Sequence, residues 1–264
     1  MIQQSFQHVK GIGPVAERRI LDAGIEDWEA ALAARESLPL ADCTIDALIE
    51  ELPRCLDALR GADLKYLLDR FDTREHWRIF AGSFESATYF DIETSGFGSF
   101  CDVTVIGCLH RGSVRVFTRN DDLDDFLELL DDVSLLVSFN GNSFDVPRLL
   151  DHYHIPELPC PHIDLRWLCY HCGYRGGLKD IEAQLDIGRP VSVSDVNGAD
   201  ATCLWERWDL ADDAAALQQL RCYCAADVLT MPVIAACILR DRGVETPDGM
   251  HRVGWDLLET MDNG

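Results

Sequence analysis

The spacing of apolar residues changes period once along this chain, and that change limits what the chain can fold into. Up to about residue 80 the apolar positions recur at helical spacing, through Trp28 to Leu32, Ile45 to Leu52 and Leu56 to Phe71, so each run lines one face of a helix. Gly82 and Ser83 then lead into strand-like runs over Ala87 to Ile92, Val103 to His110 and Val114 to Thr118, with Arg111-Gly112-Ser113 as a hairpin turn. A helix is expected over Asp124 to Leu130 and another strand over Leu135 to Phe139. Mainly helices follow Asp145, with a short strand near Ile163. This order describes an α/β domain with a mixed sheet over residues 81–264, behind an all-α region over residues 1–80. A length of 264 residues suits one sizeable domain plus a smaller one.

Three acidic motifs fall where these elements end or meet. In Phe90-Asp91-Ile92-Glu93, the two acids are two apart on a strand, so both point to the same face. Two anions side by side on a core strand are costly, and a divalent cation relieves them. A solvated strand end is the bland alternative. In Asn140-Gly141-Asn142-Ser143-Phe144-Asp145, the aspartate sits where a strand gives way to a helix with Pro147 in its first turn. Taken alone, this motif is better accounted for by an ordinary helix cap. In Tyr223-Cys224-Ala225-Ala226-Asp227, a spacing of four puts Tyr223 and Asp227 on one face of a long helix from about Ala214 to Asp241.

Taken in order, the three motifs resemble those of the DEDD superfamily of exonucleases, in its tyrosine-bearing branch. The second motif looks especially like that of family B DNA polymerase proofreading domains. All five expected positions are filled, by Asp91, Glu93, Asp145, Tyr223 and Asp227, and the resemblance spans roughly residues 75–240. Glu75-His76-Trp77-Arg78 also resembles the lead-in of the YprB-type RNase H-like group. The resemblance implies an RNase H-like fold, with a mixed five-stranded sheet flanked by helices. It also implies 3′→5′ hydrolysis of phosphodiester bonds using two ions, Mg²⁺ or Mn²⁺, at each site. By the same resemblance, Asp91 would bridge both ions, Glu93 and Asp227 would complete one, and Asp145 would hold the other mainly through water. Tyr223 would orient the attacking water, since a phenol titrating near pH 10 is a poor base at neutral pH. Asn142 would contact the substrate or brace its loop, and Asp164 reads as a strand-end or cap acid rather than as a fifth acid near the site.

Charge bears on whether such a chain can hold a polyanion. It carries 46 acidic against 23 basic residues, a formal net charge of -23, and only Lys10, Lys65 and Lys179 are lysines. Net negative charge opposes nucleic-acid binding unless salt screens it or bound cations recruit the phosphates. Acidic excess with little lysine is the composition a salt-rich cytoplasm favours. Val9 to Leu21, with Lys10, Gly11, Ile12 and Gly13 at its turn, resembles a helix-hairpin-helix motif, which implies contact with the nucleic-acid backbone. A tight connection with no ligand is its alternative. Arg148, Arg166 and Arg175 are further candidates to line a strand channel. The eleven cysteines, including Cys169-Tyr170-His171-Cys172, read mainly as small buried thiols rather than a zinc ribbon.

The expected partner is nucleic acid, as a single strand or a 3′ end, with DNA narrowly ahead of RNA. No membrane partner is expected, because no run approaches the roughly 18 consecutive apolar residues of a span. The start MIQQSFQHVKG has no signal-peptide character, so a cytoplasmic location is expected. An RNA-directed or structure-specific nuclease and a catalytically idle binding module remain the alternatives.

Overall fold

The chain divides into two compact units, Met1–Ser83 and Phe84–Gly264. The computed structural model describes residues 1–96, 98, 101–247 and 253–261. Residues 97, 99–100, 248–252 and 262–264 of the expected α/β domain lie outside the described set.

The first unit is helical: α1 (Pro14–Asp22), α2 (Trp28–Ala33), α3 (Asp42–Arg60), α4 (Leu64–Arg70) and α5 (His76–Ser83). Its core gathers Phe6, Ile20, Trp28, Leu48, Leu52 and Leu67. Two of the expected helical runs are redrawn. α3 continues through Pro53, which lies on its exposed side while Leu48, Leu52, Cys55 and Leu56 stay buried on the other. The run from Leu56 to Phe71 breaks after Arg60, where Gly61 caps α3 and the Asp63 carboxylate accepts from Tyr66 N at 3.0 Å. Upstream of Gly11 there is one 3-10 turn, Ile2–Gln4, and no α-helix.

The second unit holds a five-stranded mixed sheet: β1 (Thr88–Thr94), β2 (Val103–His110), β3 (Ser113–Thr118), β4 (Leu136–Ser138) and β5 (His162–Asp164), in the order β3-β2-β1-β4-β5. β1 pairs antiparallel with β2 and parallel with β4, and β4 pairs parallel with β5. β1, β4 and β5 therefore all end at the same edge, where their following loops gather. The flanking helices are α6 (Asp125–Leu129), α7 (Asp145–Tyr153), α8 (Leu165–Cys172), α9 (Leu178–Gln184), α10 (Val191–Ser194), α11 (Gly198–Ala211), α12 (Ala214–Asp241) and α13 (Asp256–Met261). One core lies under α6 and α7, with Phe90, Ile106, Phe117 and Phe126. The other lies under α11 and α12, with Val105, Leu204, Trp205 and Leu220. Among the described residues α12 is the one helix long and apolar enough to span a bilayer, yet 94% of its most apolar window is buried, as befits a core helix.

Close approach of α12 to the sheet depends on one small residue. Gly107 lies opposite Asp91 in the β1–β2 register. A Cβ there would sit 3.0 Å from both Cys224 O and Cys224 Sγ, and 3.1 Å from Val228 Cγ2. Glycine in a strand interior contributes no side-chain packing, and here its absence of a Cβ admits the helix that carries Tyr223 and Asp227.

Candidate active site

Asp91 and Glu93 share one face of β1, beyond the Thr88–Tyr89 stretch that pairs with β4 and toward the C-terminal end of the strand. Asp91 keeps partial exposure and Glu93 is buried. Asp145 is the first residue of α7, reached through the loop after β4, and it is buried. Its carboxylate accepts from Ile92 N at 3.2 Å, which ties the second motif directly to the first. Tyr223 and Asp227 come from α12 and are both buried. The three motifs thus converge from β1, α7 and α12.

Their electrostatics reflect that convergence. Burial, then the charges of Asp227, Asp145 and Glu93, pushes the Asp91 carboxyl well above its usual range. Glu93 moves the same way, through burial and then Asp227 and Asp145. Burial lifts Asp145 to about 7, although its own amide and that of Ile92 hold it down in part. The Asp227 carboxyl is raised by burial and opposed by Arg189, whose Nη1 lies 2.5 Å from Asp227 Oδ1 as a charge contact without hydrogen-bond alignment. The Tyr223 phenol is raised by burial and then by Asp227, Glu93 and Asp91, so it stays protonated. Lys179 Nζ lies 5.3 Å from the Tyr223 ring centroid and donates to Val196 O.

Four participants were not foreseen from sequence. Arg189, with its side chain buried, donates to both oxygens of Glu182, at 2.7 and 2.6 Å, while facing Asp227. Glu182 and Arg189 are 45 and 38 residues from Asp227, the motif position they serve, so no local pattern announces them. Cys224 donates weakly from Sγ to Asp91 O at 3.6 Å, and its Sγ lies within 4.8 Å of ligand atoms of Asp91 and Glu93. Burial and the neighbouring carboxylates raise that thiol well above its usual range, so it remains a neutral S–H and a poor metal ligand. Gly107 is the fourth; a glycine inside an otherwise apolar strand was the available signal.

Asp164 behaves as a cap and brace. It accepts from Arg166 N at 3.0 Å at the start of α8, and also from Asn140 N at 2.8 Å and Asn142 N at 3.1 Å. That brace holds Asn140 at φ 67, an uncommon conformation outside glycine, and leaves the Asn142 side chain exposed. Arg148 Nη2 donates to Gly98 O at 2.7 Å.

The N-terminal positions lie in the other unit. Gly11 has φ 95, and a Cβ there would meet Thr44 Oγ1 at 3.2 Å, so folding accounts for this glycine. Gly13 caps α1, Lys10 is exposed, and the Ile12 side chain is buried in the helical core. All eleven cysteines are free, and Cys55, Cys108, Cys160, Cys169, Cys222 and Cys224 are buried.

A family model described as RNase_H superfamily (RNase_H_2) matches residues 88–238, more than half of the chain. The chain belongs to the RNase H superfamily. Among solved structures it is similar to the family B DNA polymerase from the hyperthermophilic archaeon Pyrobaculum calidifontis, at 17% identity and a TM-score of 0.47. That match covers 58% of this chain and 24% of the polymerase, so the chain spans about a quarter of that protein's length. No curated protein sequence matches. Superfamily membership suggests a nuclease acting on nucleic acid, and RNase H-like nucleases usually use divalent metals. The donor set fits such ions: hard carboxylate oxygens, buried together, with more negative charge than Arg189 offsets.

Proposed function

We propose that the chain is a divalent-metal-dependent 3′→5′ exonuclease that hydrolyses phosphodiester bonds of a single strand or 3′ end. The observation that carries this reading is the meeting of Asp91, Glu93, Asp145 and Asp227 from three elements, with all four carboxyls raised by burial and those of Asp91, Glu93 and Asp145 raised further by the neighbouring acids. These four residues would hold the ions, Mg²⁺ or Mn²⁺, two to a site. When bound, the ions supply Lewis-acid charge for the phosphate oxygens. Tyr223, held protonated, orients the attacking water by hydrogen bonding and does not remove its proton. Arg189 and Glu182 fix Asp227, and Cys224 braces the backbone of Asp91. Asp164 sets the loop that carries Asn142 toward the substrate. In the helical unit, Lys10 and the Gly11-Ile12-Gly13 turn would hold the phosphate backbone without reading bases.

The test is digestion of 3′- and 5′-labelled single-stranded DNA and RNA with Mg²⁺, Mn²⁺ or EDTA, at low and high salt. Wild type is run beside Asp91→Ala and Asp227→Ala. A metal-dependent ladder growing from the 3′ end, lost in both variants, supports the reading and selects the sugar. Binding of either polymer with no cleavage under any condition would overturn it in favour of a binding module.

A further inference from the structure

The exposed aromatic side chains of the described residues are not scattered. Among the large hydrophobics that stay exposed there, the aromatic ones are Trp167 (43%) and Tyr170 (47%), three residues apart on α8 and so on one helical face. Their ring centroids are 5.8 Å apart at an interplanar angle of 74°. Both line a cleft of about 310 Å³ together with Arg166, Arg175, Asn140 and Ser143. The last two belong to the loop that runs into Asp145, so the cleft adjoins the carboxylate cluster through a loop that Asp164 holds at both Asn140 and Asn142.

The charges of this cleft run against the rest of the molecule. In a chain of formal net charge -23, two arginines face one small concavity. Arg166 Nη1 donates to Asn140 Oδ1 at 2.5 Å. The Arg175 guanidinium lies 3.9 Å from the Tyr170 ring centroid, and its Nη1 donates to the carbonyls of Tyr170 and Tyr174 at 2.6 and 2.7 Å. Both forks are thereby held in place before any ligand arrives. Asp180, on the same stretch of chain, turns its carboxylate to the Gly177 amide at 2.8 Å. Fixed guanidinium groups beside an open aromatic face are the chemistry that takes a nucleotide, with the base stacked and the phosphate paired.

We propose that this cleft holds one nucleotide of the single-stranded substrate, its base stacked on Trp167 and its phosphate on Arg166 and Arg175. This rests on the nuclease reading for its role, since a strand seated here continues along the Asn140–Asp145 loop toward the carboxylates. Arg175 covers one face of Tyr170 at 3.9 Å, whereas the near-parallel His171 ring stands off Trp167 at 6.5 Å, so Trp167 is the stacking surface and Tyr170 its wall. Stacking and phosphate pairing make no use of base edges, so the site accepts any base.

The test measures binding apart from cleavage. Fluorescein-labelled oligothymidylate and oligouridylate of about twelve nucleotides are titrated with Ca²⁺ as the sole divalent ion, and recovered strands are checked for length. Trp167→Ala is expected to weaken binding about five- to a hundredfold, the effect of losing one stacked base. Trp167→Phe retains a stacking face, so it should bind within about threefold of wild type while losing the strand-induced quenching of tryptophan fluorescence. Arg166→Ala should lower the salt dependence by about 0.7 in logarithmic slope, one phosphate contact. If Trp167→Ala binds as wild type does, the strand lies elsewhere and the cleft proposal fails, whatever the cleavage assay gives. If wild type binds neither polymer, the proposal also fails. If wild type binds, Trp167→Ala does not, and no metal supports cleavage, the cleft stands and the nuclease reading falls alone.

Discussion

The two units treat buried acid groups in opposite ways. In the helical unit each partly buried carboxylate is answered by donors. Glu17 accepts from Phe6 N at 2.7 Å, Gln7 Nε2 at 2.6 Å and Ser5 Oγ at 3.3 Å. Glu51 accepts from Tyr66 Oη at 3.0 Å and lies 3.4 Å from Arg70 and 3.7 Å from Arg54. In the sheet unit, among the described residues, no lysine or arginine is ion-paired with Asp91 or Glu93, and Asp227 shares its one arginine with Glu182. The first arrangement lowers the free energy of the fold. The second raises it, and a fold keeps such a cluster only where something else compensates, here the cations that the site would hold.

That contrast is broken most severely by removing acids of the cluster. Asp91→Ala and Asp227→Ala should abolish cleavage in the labelled-strand assay, beyond the ~10–100-fold loss typical of a residue that only supports a metal ligand. A residual rate within that supporting range would demote the two acids to bracing roles. Arg189→Met comes next. It strands Glu182 and Asp227 together in the core, and loss of one partner from a buried pair costs about 3–5 kcal/mol. Denaturant unfolding should show that loss. A shift under about 1 kcal/mol would mean that Asp227 is already protonated and needs no arginine.

Local order was readable where a residue's role depends on its neighbours in sequence. β2 and the hairpin into β3 follow from alternating and apolar runs around Arg111-Gly112, and the motif acids follow from strand and helix periods. The mixed five-stranded sheet came from the resemblance and not from periodicity, and the parallel pairing of β1, β4 and β5, which brings three loops to one edge, was read from neither. What stayed hidden depends on partners far along the chain. Arg189 reads as a surface arginine until Asp227 and Glu182 fold around it. Cys224 reads as one more buried thiol until it meets the Asp91 carbonyl. Pro53 reads as a break, yet the apolar face on both sides of it packs as one helix. Tertiary packing overrode local preference there.

Single carboxylates sharpen the comparison through sign alone. Glu17→Ala leaves the buried Phe6 amide without its acceptor and should destabilise by about 1–3 kcal/mol. Glu93→Gln keeps the shape and removes an unanswered charge, so without metal it should stabilise by about 1 kcal/mol. Thermal melts in EDTA compare the two, and destabilisation by both would erase the distinction between the units. Gly107→Ala tests the packing that brings α12 to the sheet. Overpacking against Cys224 and Val228 should cost about 1–3 kcal/mol, and activity should fall with it, because Tyr223 and Asp227 ride on the same helix.

The smallest effect is also the one in which the two units should pull apart. Asp145 titrates at about 7 in the folded chain, against 3.8 for an ordinary aspartate. A raised folded value means that the native state holds the extra proton between those limits. Its contribution to stability is full below 3.8 and lost as pH rises through about 7, and Asp91 and Glu93 are shifted the same way. His8, packed against Phe71 and Trp28 in the helical unit, is lowered by burial, and then by Arg70, from 6.5 to about 4. Its sign is opposite: stability is full above 6.5 and lost as pH falls toward about 4. In metal-free buffer, lowering the pH from 6.5 toward 4 should therefore lower amide protection factors around Trp28 and raise them along α12, with the intrinsic exchange rate at each pH divided out. Divalent ion binds the deprotonated cluster, so Mn²⁺ should protect α12 more at pH 8 than at pH 5 and leave the Trp28 region unchanged. Equal protection of both regions at both pH values would mean that the ion acts by general screening, and that the cluster is not where it binds.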